Sequence, residues 1–152
     1  VWDVVMVAHH LLHRTATGTV FPLTQQHRIG TLLMFAVRSI FARPQQLRDV
    51  IHQLVAEGLV DASAVDDADP LGFLVHPGGA ESLTDAAYRF ARHEPGVDVV
   101  LFGTGDPEHL RANIASLLRP KLPTADLERL RRAFAQVSGV GLDRPPRARA
   151  AA

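Results

Sequence analysis

Apolar residues along the chain fall into two kinds of run. Three runs are short and nearly continuous: Val4 to Ala8 (VVMVA), Thr31 to Ala36 (TLLMFA) and Val97 to Phe102 (VDVVLF). They do not alternate with polar residues, a pattern that suits strands buried on both faces, as in a parallel sheet covered by helices. Other apolar residues recur at helical spacing. In Pro44 to Glu57, the side chains of Leu47, Val50, Ile51, Leu54 and Val55 share one face, with Pro44 in the first turn and Gly58 as the stop. Ser82 to His93 has Ser82 as N-cap and Asp85 three residues on, an approximate capping box, and stops at Pro95 and Gly96. Pro107 to Leu118 and Thr124 to Val137 are two more helices, with Thr124 expected to cap the second. A weaker helical pattern, Thr19 to Arg28, carries Pro22 near its start, where proline is tolerated.

The order is strand, helix, strand, helix, long loop, helix, strand, helix, helix, which is α/β by its alternation. The loop, Leu59 to Gly79, is rich in aspartate and glycine, and connections of that length are usually functional or mobile. Three parallel strands make a poor sheet by themselves. Open doubly wound sheets have five or six strands and closed barrels eight. Both outer strands would present unpaired edges, which invite association. Residues 1–137 therefore read as part of a larger sheet protein. Residues 138–152 (SGVGLDRPPRARAAA) have almost nothing to bury and are expected to form a disordered tail.

Composition narrows the function. Sixteen basic and sixteen acidic side chains cancel, so nucleic acid and anionic membranes are not expected as partners. The absence of cysteine excludes disulfides, a thiol nucleophile and thiolate metal sites. No apolar run approaches the roughly 18 to 20 residues of a membrane span, and no signal-peptide pattern is present. The expectation is a soluble, cytoplasmic protein.

The most suggestive chemistry lies in VLFGTGDPEHLRANI, Val100 to Ile114. Gly103 and Gly105 permit a tight turn and close approach to a ligand. Asp106 or Thr104 can cap the helix that starts at Pro107, and the positive end of that helix favours an anion. Thr104, His109, Arg111 and Asn113 add polar side chains nearby. The stretch is not a dinucleotide fingerprint, because Glu108 stands where a third glycine belongs. It reads either as a phosphate-holding turn or as a plain capped strand-to-helix turn. His9, His10 and His13 invite a metal reading, but neighbouring strand residues face opposite ways and only Asp3 offers a nearby carboxylate. One of them is expected to point into a strand-end pocket and the others to hydrogen-bond loops, and no metal site is predicted. Asp66 to Gly72 (DDADPLG) lacks the spacing of a calcium loop and reads as a solvated turn. Tyr88 and Arg92 resemble the spacing of a Tyr-x-x-x-Lys pair, yet arginine cannot tune its charge as lysine does. Tyr88 is expected to pack. No catalytic set is complete.

DVVMVAHHLL, IGTLLMFAVR and VDVVLFGTGDPEHLRANIASLL resemble, in order and spacing, the last three βα units of an aldo/keto reductase barrel. The third is the most specific, with glycine, a small polar residue, Pro-x-x-Leu and then Asn. The resemblance implies the C-terminal part of a (β/α)8 TIM barrel, from an oxidoreductase that interconverts carbonyls and alcohols with NADPH, NADH being possible. It further implies a cofactor site. Phe35 falls where the family commonly stacks a tyrosine on the nicotinamide, and Ala36 and Arg38 follow near the phosphates. Gly103, Thr104 and Gly105 match the turn over the adenosine phosphate. His109 falls beside the 2′-phosphate, and Asn113 matches the asparagine at adenine. Met6 replaces a glutamine that holds the nicotinamide carboxamide, and a thioether donates no hydrogen bond. Ala8, His9 and His10 replace the familiar Glu-Tyr-Asn.

The family's catalytic Asp, Tyr, Lys and His lie on earlier strands. Neither Tyr88 nor Lys121 matches them, so no catalytic residue is predicted here. The implied partners are a small carbonyl or alcohol substrate in the intact parent and the missing N-terminal half of the barrel. The alternative is a non-catalytic nucleotide- or partner-binding α/β module.

Overall fold

The computed structural model describes residues 2–137, so the expected tail at 138–152 lies outside the described residues. The strands β1 (Val4–Ala8), β2 (Gly30–Met34) and β3 (Val99–Val100) form one parallel sheet in the order β1-β2-β3. Six α-helices surround it: α1 (Thr15–Thr19), α2 (Phe21–His27), α3 (Pro44–Ala56), α4 (Leu83–Arg92), α5 (Pro107–Leu118) and α6 (Thr124–Ala133). Short 3-10 turns lie at Ser39–Ala42, Ala62–Ala64 and Gly72–Leu74. The expected α/β architecture is present, and the sheet is not closed.

Register decides what each face of the sheet meets. Val7, Leu33 and Val100 lie in one row and pack with Phe21 of α2 and with Tyr88 and Ala91 of α4. The neighbouring row, Met6, Leu32 and Val99, points the other way. There Met6 is 56% exposed, Val4 51% and Val99 46%. Burial on both faces, expected from the unbroken apolar runs, therefore holds on one face only. The runs record apolarity, and among the described residues nothing covers the second face.

Several boundaries differ from expectation for local reasons. The weak helix expected over Thr19 to Arg28 is α2, which starts at Phe21 and ends on Arg28 in a left-handed conformation, and α1 is a further short helix before it that the pattern did not indicate. β2 ends at Met34 because Phe35 adopts φ +66°, which no strand continues through. β3 is only two residues long. Val97 turns its N–H to the Glu94 carbonyl, and Asp98 is taken up by a side-chain clasp with Thr31. In that clasp the Asp98 carboxylate accepts the Thr31 N–H at 2.8 Å, while the Thr31 hydroxyl accepts the Asp98 N–H at 3.0 Å and donates to the Gly96 carbonyl.

The helix ends follow the same logic. α3 closes as read: Gly58 takes φ +72° and donates to Val55, and Leu59 donates to Leu54. Ser82 caps α4 by accepting the Asp85 N–H, but the return bond from Asp85 goes to the Glu81 N–H, one residue further out than a capping box requires. Thr124 is not a cap. Pro123 holds that position without a side-chain bond, and α6 ends at Ala133, short of the expected Val137.

The long loop is anchored along its length. Val60, Leu71 and Leu74 are buried with α3, α4 and α6 in one core. His52 of α3 lies 2.9 Å from the Asp67 carboxylate, and His76 lies 3.0 Å from that of Asp126 in α6. Arg129 donates to the Ala64 carbonyl and stacks over Phe73 at 4.3 Å. Buried apolar side chains and these polar contacts thus fasten the loop at several points along its length.

α4 separates two cores, and its residues Asp85 to Ala91 are buried without a break. Ala86, Ala87 and Phe90 face the core built with α3 and α6, while Tyr88 and Ala91 face the sheet. Arg89 runs between them. It donates to the carbonyls of Gly79 and Pro120 at 2.8 Å and of Lys121 at 3.2 Å, and lies 3.3 Å from Asp85. Burial pushes the Asp85 carboxyl up, but the Glu81 N–H, the Ser116 hydroxyl, Arg119 and Arg89 outweigh it and hold the pKa below the usual range. Arg89→Met is expected to cost about 3 kcal/mol or more in urea unfolding, because three carbonyls lose their donor together. Arg92→Ala, on the exposed side of the same helix, should change stability by about 0.5 kcal/mol at most.

Candidate functional site

The C-terminal ends of β2 and β3 frame a cleft of about 410 Å³, lined by Met34, Phe35, Ala36, Val37, Tyr88, Leu101, Phe102 and Gly103. Three of the residues singled out from the sequence, Phe35, Ala36 and Gly103, thus meet at one place although 67 positions separate Phe35 from Phe102 beside Gly103. Leu101 secures the β3 side by donating to the Leu33 carbonyl at 2.8 Å.

Phe35 is the strained residue of this cleft. A bulky side chain at φ +66° costs about 1 to 3 kcal/mol relative to ordinary backbone. The turn lifts the ring off the strand to 46% exposure, with the Arg38 guanidinium over it at 4.1 Å. Arg38 therefore covers one face of the ring that the sequence reading assigned to stacking. Ala36, next along, is fully buried.

The loop from Gly103 to Gly105 is open. A Cβ at Gly103 or Gly105 would meet nothing within 4 Å, and neither glycine has a left-handed φ. The fold itself therefore does not demand glycine at these two positions. The N–H groups of Gly103, Thr104 and Gly105 have no acceptor among the described residues, whereas the Thr104 hydroxyl accepts the Asp106 N–H at 3.1 Å. The start of α5 is different. Asp106 caps it, accepting the N–H of Glu108 at 2.7 Å and of His109 at 3.4 Å. Those two bonds hold the Asp106 carboxyl below its usual range. The free helix-start amides expected from the sequence are thus already occupied by a carboxylate, and Glu108 pairs with Arg111.

His109 is exposed, 3.8 Å from Asp106, and Asn113 is half-buried on α5; neither lines the cleft. Tyr88 lines it without having been assigned there. Its ring meets Phe102 edge-on at 5.8 Å, and burial raises the phenol pKa, so the hydroxyl stays protonated at neutral pH. The sequence offered one signal for this, a lone tyrosine among alanines on a helix that precedes an apolar strand.

The His10 and His13 rings lie 5.7 Å apart at a tilt, whereas His9 packs among aromatic rings. His9 is fully buried, stacked on Phe90 at 5.2 Å and edge-on to Phe21 at 5.3 Å, and neither ring nitrogen has a hydrogen-bond partner among the described residues. The His10 Nδ1 accepts the Leu12 N–H at 3.3 Å. No group of three or more metal-ligating side chains exists among the described residues. Asp66 accepts the N–H groups of Ala68 and Asp69, the local turn that its composition suggested.

Two solved structures of an aldo-keto reductase from Bacillus halodurans, one holo and one apo, match 93% of this chain with a TM-score of 0.57 and 14% identity. The chain shares the fold of part of an aldo-keto reductase barrel. It spans about half the length of those solved chains, 46% of the holo form and 47% of the apo form. No protein-family model and no curated protein match the sequence. Among the described residues no helix is long and apolar enough to cross a membrane.

Two outcomes are expected. Phe35→Asn, which accepts the left-handed conformation, should leave stability unchanged or raise it by about 1 kcal/mol in urea unfolding, since relieved strain offsets the lost stacking. The histidines predict acid sensitivity. Burial lowers the pKa of His9 from 6.5 to about 3, helped by His13 and Arg14; burial does the same to His10, helped by His13, Arg38 and His9. Because the folded pKa values lie below the unfolded one, this contribution is intact above pH 6.5 and is lost as pH falls toward 3. Each histidine should cost about 1.4 kcal/mol per pH unit in that window. Urea midpoints at pH 7 and pH 5 measure the slope, and His9→Phe should roughly halve it.

Proposed function

We propose that this chain is the C-terminal, cofactor-holding part of an NAD(P)H-dependent aldo/keto reductase, an oxidoreductase acting on carbonyl and alcohol groups. The observation that carries the reading is the open Gly103-Thr104-Gly105 loop at the end of β3, with three N–H groups lacking acceptors and two positions free of side chains. Successive backbone amides of this kind suit phosphate oxygens. Here Gly103 to Gly105 hold an adenosine phosphate, and Ala36 and Arg38 approach it from the β2 side. Phe35 and the cleft beside it receive a flat ring on the face that Arg38 leaves free. His109 and Asn113 of α5 take the adenosine end, with the 2′-phosphate near His109 favouring NADP over NAD.

When bound, the nicotinamide supplies or accepts hydride. The residues of this chain orient the cofactor, and the proton-transferring tetrad comes from the earlier barrel strands. The protein acts in the cytoplasm. The chain alone therefore binds a dinucleotide without turning over a carbonyl substrate. A titration of the 15N-labelled chain with NADPH tests this by amide resonances. Gly103, Thr104 and Gly105 are expected to shift first, and Gly103→Val with Gly105→Val should abolish the shifts at unchanged stability. Shifts confined to other regions, or none at millimolar NADPH, would overturn the assignment.

A further inference from the structure

α1 and the C-terminal ends of α4 and α6 enclose a cavity of about 370 Å³ that shares no lining residue with the cleft at the strand ends. Small-ligand sites run from about 300 to 1,000 Å³, so its size suits a ligand well below a dinucleotide. Arg14, Thr17, Glu94 and Arg131 give its wall charge of both signs, and Phe90 and Val137 give it an apolar side. The Arg14 guanidinium is only partly satisfied. Its Nη2 donates to the Phe134 carbonyl at 2.6 Å and reaches that of Arg131 at 3.5 Å, while its Nε is buried with no partner among the described residues. Burial holds its pKa below the ordinary value, with Glu94 acting against that and Arg131 adding to it. Glu94 is 8% exposed, and its carboxylate accepts the Thr17 hydroxyl at 2.8 Å.

Two opposite charges thus share one wall without meeting. Among the described residues no ion pair joins Arg14 to Glu94. Each has given up water without gaining the other, and polar groups left short of partners in a folded protein call for one from outside. We propose that this cavity binds a free α-amino acid with an apolar side chain, its carboxylate on Arg14 and Arg131 and its ammonium on Glu94. A bare anion is opposed by Glu94, and a bare cation by two guanidiniums. A ligand with both signs on one carbon answers both through charge-assisted hydrogen bonds. Its side chain lies along Phe90 and Val137. The proposal uses none of the residues assigned to the cofactor, so either reading can fail alone.

The test titrates the full 15N-labelled chain with three probes of one side chain: L-leucine, L-leucinamide and N-acetyl-L-leucine. The amide derivative keeps the ammonium and loses the carboxylate; the acetyl derivative does the reverse. Leucine is expected to give saturable shifts at the amides of Thr17, Gly18 and Ala135 and at the Arg14 Nε–H. Both derivatives should bind at least tenfold more weakly. Glu94→Gln keeps an acceptor for Thr17 and should weaken leucine about tenfold, the worth of one charge-assisted hydrogen bond. Arg131→Gln, at an exposed position, should weaken it in the same direction with urea midpoint and far-UV circular dichroism unchanged. N-acetyl-L-leucine binding as tightly as leucine would overturn the proposal in favour of a simple anion site. No saturable shift at millimolar leucine, or shifts that both variants leave unchanged, would also overturn it.

Discussion

One guanidinium organises the molecule. Arg89 is buried in the middle of α4, and its donors reach the turn before that helix and the link between α5 and α6. Neither segment has a regular ladder to satisfy those carbonyls, and buried carbonyls without donors are expensive. The charge itself is balanced by Asp85, one turn earlier, and Asp85 is in turn held by Arg119 at 3.1 Å. Because α4 touches both cores, this network fixes the sheet side of the molecule relative to the α3–α6 side.

The two cores differ in kind. The outer one, with α3, the long loop and α6, is complete: Leu47, Ile51, Leu71, Leu74, Leu130 and Phe134 are essentially fully buried. The sheet core is finished only toward the helices. A sheet covered by helices on one face and open on the other is the expected form of a barrel arc, because helices cover each strand locally whereas the interior needs strands from around the ring. The cleft at the strand ends belongs to the same arc. Its lining comes from the ends of β2 and β3 and from α4, all within the arc, so the cleft is framed before the ring is complete.

Much of this was legible in the chain. β1 and α5 were read to the residue, and α3 and α4 to within a residue at each end, because continuous apolar runs, Pro44, Gly58 and Ser82 are strong local signals. Phe35, Ala36 and Gly103, which meet at one cleft, were singled out together by the resemblance. What stayed hidden depends on distant contacts. Nothing in TLLMFA says that Phe35 turns left-handed, with Ala36 buried beside it and its own ring lifted out. The fastening of 59–79 needs His52, His76 and Arg129, which lie on three separate segments. Asp106 was read as a possible cap, yet the same carboxylate removes the free amides from which the anion argument began.

The clasp between Thr31 and Asp98 has a consequence for how the sheet is assembled. A ladder as short as β3 defines its alignment weakly, and a slip of one residue would exchange Val99 with Val100 between interior and helix side. Here two side chains and the Gly96 carbonyl fix one offset, so the register of the strand does not rest on its short backbone pairing alone. A two-residue strand thereby delivers the loop that follows it at a fixed height, and the position of Gly103 is set from the far end of the sheet.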